Sequence, residues 1–151
     1  PFGALDFAPL TGEAACAVSN SGILAAAPGK VTRAANNQVI ISVTDAGGKP
    51  TGWEVFYMHI ASEEMIALGT RVQLDDPIGH PSCQGGSATG THVHIARKYK
   101  GEWIGAGETF PFMLSGWLAV PGEQLFRSTL VKGAQVITAD PNAGFTSRIT
   151  R

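Results

Sequence analysis

The sequence has little charge and no long hydrophobic run, and each shortage excludes a class of protein. Charged residues make up 15% of its 151 residues, and the formal net charge is −1. Because nucleic-acid binding needs a concentrated basic face, this composition predicts no nucleic-acid partner. The most apolar stretch, residues 23–27, is far shorter than the roughly 20 residues of a membrane-spanning helix. No membrane span is therefore predicted.

Cysteine is also scarce, and the chain does not begin with methionine. Cys16 and Cys83 are far apart and lack C-x-x-C spacing. In an exported protein they would form a disulfide, whereas in a cytosolic protein they would be two buried thiols. The start at Pro1 indicates a processed or trimmed chain, from which an export signal could have been removed. We expect a secreted or cell-envelope protein, and a monomer.

Glycine and proline are frequent, with 19 and 9 residues, which favours short strands and turns over helices. Residues 38–59 are predicted to form a β-hairpin with a longer loop, and residues 92–97 another strand. Residues 61–68 are the one plausible helical turn. We therefore predict a single all-β, mainly antiparallel domain, a sheet folded over on itself with little helix. Its core covers residues 3–132, and residues 133–151 are a tail.

The pattern weakens beyond Gly101. There, aromatic residues suggest packed loops that close the sheet: Trp103, Phe110, Phe112 and Trp117. Just before them lies the only basic cluster, Arg97-Lys98-Tyr99-Lys100. It is interpreted as a solvated strand end, and the alternative is that it lines a groove for an anionic polymer.

The sequence Thr91-His92-Val93-His94-Ile95 carries the first chemical signal. Side chains alternate along a strand, so His92 and His94 point to one face, while Val93 and Ile95 point to the core. Two adjacent imidazoles are costly to bury without a metal or a reacting group as partner. The alternative is a pair of surface histidines. The glycine-rich loop 85–90 favours the ligand site, since it can bring the backbone close to a ligand.

Two further residues are weak signals by themselves. Strand alternation predicts that Tyr57 and His59 share one face, at the end of the predicted hairpin. Asp6 lies within a short apolar run, where a carboxylate needs an ion-pair or metal partner. An aspartate with imidazoles is a ligand set that suits zinc, with an open position for water.

Taken in order, the motifs resemble the lysostaphin-type (M23) zinc endopeptidases, and among them the staphylolytic and β-lytic branch. The resemblance covers about residues 3–97 and rests on Leu5-Asp6-Phe7, Ala27-Pro28-Gly29-Lys30-Val31, Tyr57-Met58-His59-Ile60, Gly69-Thr70-Arg71-Val72, Ile78-Gly79 and Ser87-Ala88-Thr89-Gly90-Thr91-His92-Val93-His94. It implies that Asp6 and His94 bind Zn²⁺ and that His59 and His92 act in catalysis. It also implies that the substrate is a Gly- or D-Ala-containing peptide of bacterial peptidoglycan.

The family's third zinc ligand is a histidine upstream of the aspartate. In most members its position would correspond to Phe2, and in the β-lytic branch it lies farther upstream, so trimming is expected to have removed it. His80 matches no catalytic position and is interpreted as a turn histidine, with recruitment as a ligand as the alternative. A metal-free binding or regulatory module for cell-wall peptide stays open as the alternative function, because two ligands hold zinc poorly.

Overall fold

The computed structural model describes residues 3–10, 14–107, 109–123, 127–140 and 147–149. These residues form thirteen β-strands and contain no α-helix. Every strand pair among them is antiparallel. The predicted all-β, mainly antiparallel fold is therefore confirmed. Within the described ranges, no helix is long and apolar enough to cross a membrane.

The chain divides into two compact units, Gly3–Trp103 and Ile104–Arg151. The described part of the first unit forms β1 (Leu5–Phe7), β2 (Ile23–Leu24), β3 (Gly29–Ala35), β4 (Gln38–Thr44), β5 (Pro50–Met58), β6 (Arg71–Val72), β7 (Pro77–Gly79), β8 (Val93–Tyr99) and β9 (Glu102–Trp103). Most of these strands join one sheet in the order β1-β8-β5-β4-β3-β6, to which β9 adds by pairing with β8. Strands β2 and β7 form a separate two-stranded sheet.

Strand β8 has pairing partners along both of its edges. Strand β5 pairs along one edge of β8, so the two short strands β1 and β9 share the other edge. Strand β1 lies beside the first half of β8, and β9 lies beside its last two residues. Side chains from four strands therefore reach the same face.

Tight turns set the register of this sheet. Asn36 and Asn37 join β3 to β4 with φ angles of 53° and 60°, and Lys100 and Gly101 join β8 to β9 with 50° and 87°. Two consecutive positive φ angles are typical of the two-residue turns that match the twist of a hairpin. The predicted hairpin over 38–59 is confirmed as β4 and β5, joined by a longer loop.

The core of the first unit comes mainly from the strands, as their alternating β-branched residues predict. The side chains of Val31, Val39 and Ile41 are fully buried on the paired strands β3 and β4. Tyr57 is also fully buried, and its hydroxyl accepts a hydrogen bond of 2.8 Å from the Ala26 N–H. Burial raises the pKa of Tyr57 to about 12.

The helical turn predicted over residues 61–68 is wrong. Glu64 has a φ of 59°, which interrupts a right-handed helix. The backbone N–H groups of Ala61 and Ile66 donate to the carbonyls of His80 and Ile78. This segment is thus hydrogen-bonded to the chain around β7 instead of to itself.

The described part of the second unit forms a four-stranded antiparallel sheet of β10 (Met113–Leu114), β11 (Trp117–Val120), β12 (Thr129–Lys132) and β13 (Gln135–Thr138). Phe112 and Trp117 are buried there, whereas Phe110 is exposed. The prediction of packed loops holds for Phe112, which is buried in the loop before β10, but not for Trp117, which lies in β11. Ser115 and Gly116 form another turn with two positive φ angles, which joins β10 and β11 into a hairpin. Strand β13 lies within the stretch predicted as a tail.

Candidate metal and catalytic site

Asp6 and His94 form a cross-strand pair. They are directly opposite each other where β1 pairs with β8. The two side chains meet, with 2.8 Å between His94 Nδ1 and Asp6 Oδ1. The side chain of His94 is 18% exposed and that of Asp6 39%. Strand register therefore brings together the two residues that the sequence predicts as zinc ligands.

Asp6 is stabilised as a carboxylate by His94, whereas His94 has one ring nitrogen without a hydrogen-bond partner among the described residues. Burial by itself raises the pKa of Asp6, but the hydrogen bond and the charge of His94 outweigh burial and lower the pKa below its ordinary value. Asp6 is thus a carboxylate at neutral pH. His94 Nε2 is buried and has no hydrogen-bond partner among the described residues. The imidazole of His94 therefore has one nitrogen on Asp6 and one without a partner.

His59 follows the last residue of β5, and its backbone leaves the strand conformation. Tyr57 pairs with Ile95, and Met58 pairs with His94, so Met58 is on the face of His94 and Tyr57 on the opposite one. The prediction that His59 shares the face of Tyr57 is wrong. His59 has a φ of 67°, which breaks the alternation, and its ring lies 4.4 Å from that of His92.

Hydrogen bonds from a neighbouring loop hold His59 in this left-handed conformation. The carbonyl of His59 accepts bonds from the N–H and the hydroxyl of Ser82, at 2.8 Å and 2.9 Å. Ser82 is fully buried. His59 Nδ1 lies 2.9 Å from the carbonyl oxygen of Gln84. Since a carbonyl only accepts, Nδ1 carries the proton and Nε2 is left for other chemistry.

Asn37 anchors the same loop from the turn between β3 and β4. Its Nδ2 lies 2.8 Å from Gln84 Oε1, 2.8 Å from the carbonyl oxygen of Ile60 and 3.0 Å from Ser62 Oγ. Gly85 fits closely against this turn, because a Cβ atom there would lie 2.5 Å from the Asn37 Cβ, and its φ is 80°. A glycine is therefore required beside Gln84.

His92 has the same type of backbone anchor as His59. Its Nδ1 lies 2.8 Å from the carbonyl oxygen of Gly90. Nδ1 therefore donates, and Nε2 of His92 is also left for other chemistry. Burial lowers the pKa of His59 below its ordinary value. The hydrogen bond to the Gln84 carbonyl raises the pKa and a positive charge on His92 lowers it, so that the net shift is downward. The imidazole of His59 is thus neutral near neutral pH.

The predicted disulfide between Cys16 and Cys83 is confirmed. It attaches the loop after β1 to the loop that supports His59. Two more bonds connect the same segments, from the Ser19 N–H to the Pro81 carbonyl and from the Thr91 hydroxyl to the Ala17 carbonyl. One disulfide and two hydrogen bonds therefore hold the segments next to His59 and His92 against the loop after β1.

His80 is the one histidine outside this cluster. Its Nε2 lies 3.1 Å from Glu64 Oε2, and its Nδ1 lies 3.1 Å from the carbonyl oxygen of Ser21. Both nitrogens have local partners. The structure does not bring His80 to Asp6 or His94.

Asp6 and His94 have the atom types that bind zinc, but they are two donors where zinc sites use at least three. A carboxylate oxygen and an imidazole nitrogen are common zinc ligands, and Asp6 and His94 present them to each other. Phe2, which occupies the position that corresponds to the third ligand in most members of the resembled family, lies outside the described residues. Within the described part of the chain, no group of three His, Cys, Asp or Glu side chains is arranged to hold a metal ion. Asp6 and His94 thus form a two-donor half-site.

Sequence reasoning missed the residues that support His59: Asn37, Ser82 and Gln84. The pair Asn36-Asn37 between two apolar runs is a turn signal, and it predicts where Asn37 lies in the fold. The sequence carries no comparable signal for Ser82 or Gln84, because their partners are 23 and 25 residues away.

Taken together, these side chains are of the types that bind zinc and transfer protons in metallohydrolases. The model of Peptidase family M23 matches residues 9–106, which is more than half of the chain. The protein therefore belongs to this family of peptidases. The match includes His59, His92 and His94, and Asp6 lies just upstream of it.

Solved structures of M23 proteins are similar to this chain. The novel M23 metalloprotease pseudoalterin from the deep sea has a TM-score of 0.72 and 20% identity, over 92% of this chain and 80% of that chain. LytU (TM-score 0.47, 25% identity, 70% and 77% covered) and lysostaphin from Staphylococcus simulans (0.44, 16%, 80% and 78%) are more distant, and no argument rests on them. A search of the curated proteins finds no match. The likeness to pseudoalterin shows a shared fold.

Proposed function

We propose that this protein is a zinc-dependent endopeptidase that hydrolyses Gly- or D-Ala-containing peptide bonds of bacterial cell-wall peptidoglycan. One observation carries the proposal. In a chain of the M23 family, two zinc-type donors and two backbone-anchored imidazoles come together from separate strands and loops: Asp6, His94, His59 and His92. The charges of all three histidines act on the pKa of Asp6, as expected of one compact site.

Asp6 and His94 are the proposed metal ligands. Their facing atoms, Oδ1 and Nδ1, share a proton in the metal-free pair, and a cation would take the place of that proton. The chemistry that zinc supplies when bound is polarisation of the scissile carbonyl and activation of water.

His59 and His92 are the proposed catalytic residues. Both rings are oriented by a backbone carbonyl at Nδ1, so Nε2 of each accepts or donates a proton. His59, neutral because of burial, is suited to take a proton from the attacking water. His92 is suited to stabilise negative charge on the tetrahedral intermediate or to protonate the leaving amine.

An extracytoplasmic location agrees with this substrate. The Cys16–Cys83 bond supports such a location, because disulfides persist in oxidising compartments.

The metal-free binding module is a second candidate, favoured by the absence of a third donor among the described residues. The two functions differ in what zinc does. An enzyme needs zinc to cleave peptidoglycan, whereas a binding module retains peptidoglycan without any metal dependence.

The test is a zinc titration of the purified protein, with thermal unfolding and peptidoglycan digestion measured on the same samples. We expect zinc to raise the unfolding temperature, because a ligand that binds only the native state stabilises it. New amino termini, identified by mass spectrometry, should begin at Gly or D-Ala positions. His94→Ala should abolish both effects, and His80→Ala is the matched control that should abolish neither. Zinc-independent retention of peptidoglycan without new termini would support the binding module instead.

A further inference from the structure

The sheet face that holds Asp6 and His94 continues to an exposed tryptophan. Register places the side chains of His94 and Lys98 on one face, together with Phe56 of β5 and Trp103 of β9. The rings of Phe56 and His94 are 6.4 Å apart, and those of Phe56 and Trp103 are 5.5 Å apart, both edge to face. Phe56 is buried, whereas Trp103 is 41% exposed. A buried ring thus connects the half-site to an indole that reaches solvent.

Lys98 lies against this indole. Its Nζ is 4.4 Å from the centre of the Trp103 ring, within the range of a cation–π contact. Glu54 faces Lys98 across the strands, but Lys98 makes no ion pair with any residue of the described ranges. Its ammonium group therefore holds the indole in place and keeps donors for a carbonyl or carboxylate of a ligand.

The spacing fits a peptide chain. The two ring-to-ring steps from His94 to Trp103, of 6.4 Å and 5.5 Å, are each less than two residues of extended chain at about 3.5 Å per residue. A peptide with its scissile bond at the half-site would reach Trp103 about three residues away. Binding at such a distance from the reacting atoms is one way in which a hydrolase selects its substrate.

We propose that Trp103 and Lys98 form a remote subsite for the substrate peptide, which binds a segment about three residues from the scissile bond. The indole packs against the peptide, and Lys98 donates to one of its carbonyl or carboxylate oxygens. The inference rests on the proposed function, because it takes the half-site as the place where the peptide is cut. It adds a preference for longer peptides.

The opposite face of the same strands provides a matched control. There, the rings of Trp53 and Tyr99 are 4.8 Å apart, with Arg97 5.5 Å from the Trp53 ring. This cluster also combines a tryptophan with a cation near the end of β8. It points away from His94, because Trp53 pairs with Tyr99 and not with a residue of the His94 face.

The experiment measures the affinity of the full chain for two nested peptide series, calorimetrically and with a chelator present to prevent turnover. Each series grows residue by residue from a Gly or D-Ala core, one at the amino end and one at the carboxyl end. In the wild type, we expect affinity to rise about tenfold once one series passes the third residue. Trp103→Ala should abolish this gain and leave the shortest peptides unaffected. Trp103→Phe should restore part of the gain, and Trp53→Ala should retain it.

Equal gains in the wild type and in Trp103→Ala, or no binding of any peptide, would overturn the subsite. A dependence on Trp103 that appears only when a disaccharide is attached to the peptide would also overturn it, because the occupant would be sugar. The proposed function fails separately, if the zinc-loaded wild type cleaves none of these peptides. Binding that depends on Trp103 would in that case still support the subsite.

Discussion

The two halves of the candidate site are built differently. His59 and His92 are held by backbone carbonyls and by a loop that a disulfide, a buried serine and an asparagine all fix in place. Asp6 and His94 are held mainly by each other, and His94 Nε2 lacks a partner among the described residues. We therefore infer that the fold preorganises the proposed proton-transfer half, His59 and His92, without a metal, and that a cation completes the proposed ligand half, Asp6 and His94.

The largest expected effect comes from removing a ligand. Asp6→Ala and His94→Ala should each abolish zinc binding and lower peptidoglycan hydrolysis about a thousandfold or more, because the metal supplies several kcal/mol of transition-state stabilisation. Both variants should remain folded, since the core comes from strands that do not need the metal. Elemental analysis and circular dichroism check this. Full zinc occupancy in either variant would show that the ligand half is assigned to the wrong residues.

Removing a proton-transfer group should have the next largest effect. We expect His59→Ala and His92→Ala to retain zinc and to lose activity by about a hundredfold, as is usual for a positioned acid or base. The measurement is zinc content beside kcat/KM on one peptide. A loss of metal from either variant would erase the distinction between the two halves.

Removing the side chain that supports the His59 loop should have a smaller effect on activity. Comparing the two asparagines of the β3–β4 turn distinguishes the loss of this support from the loss of the turn itself. Asn36→Ala and Asn37→Ala both place alanine at a positive φ. Only Asn37 has side-chain bonds to the loop of Gln84 among the described contacts. We therefore expect Asn37→Ala to cost about 1 kcal/mol more in unfolding free energy, and to lower kcat about tenfold more. Urea unfolding and kinetics measure both. Equal losses would mean that the turn alone matters.

The last prediction is a pH dependence of stability at the end of β5, which appears only in alkaline solution. The pKa of Tyr57 is about 12 in the folded state, against an unfolded value of about 10. The stability contributed by the neutral hydroxyl is fully present below pH 10 and is lost as the pH rises towards 12. At pH 11 the loss is about 1.4 kcal/mol relative to neutral pH. Tyr57→Phe should lack this part of the alkaline decline, as measured by urea unfolding at pH 8 and pH 11. Parallel declines would argue that Tyr57 is not held neutral.

Much of the fold could be predicted because its signals are local. The β-branched run over 38–43 and the glycines and prolines predicted strands and turns, and β4, β5 and β8 lie where they were expected. The pair Lys100-Gly101 is an equally local turn signal, and it places Trp103 opposite Lys98. This turn predicts a hairpin with β9, where the aromatic pattern alone suggested a loop.

The site could be predicted only in part. Period-two alternation placed His92 and His94 on one face, and the order of motifs indicated Asp6 and His59 as their partners. The same alternation gave the wrong face for His59, because a single left-handed residue inverts it. That conformation depends on Ser82, which contacts His59 from 23 residues away.

The sequence alone determined the family, the strand content and the residue types of the site, because these depend on composition, spacing and motif order. The tertiary structure decided which atoms meet. It set Asp6 opposite His94 through strand register, turned His59 towards His92 through a backbone angle, and placed Trp103 on the face of the half-site. The physical reason is that hydrogen bonds between distant residues fix these positions, and a one-dimensional pattern does not contain their distances.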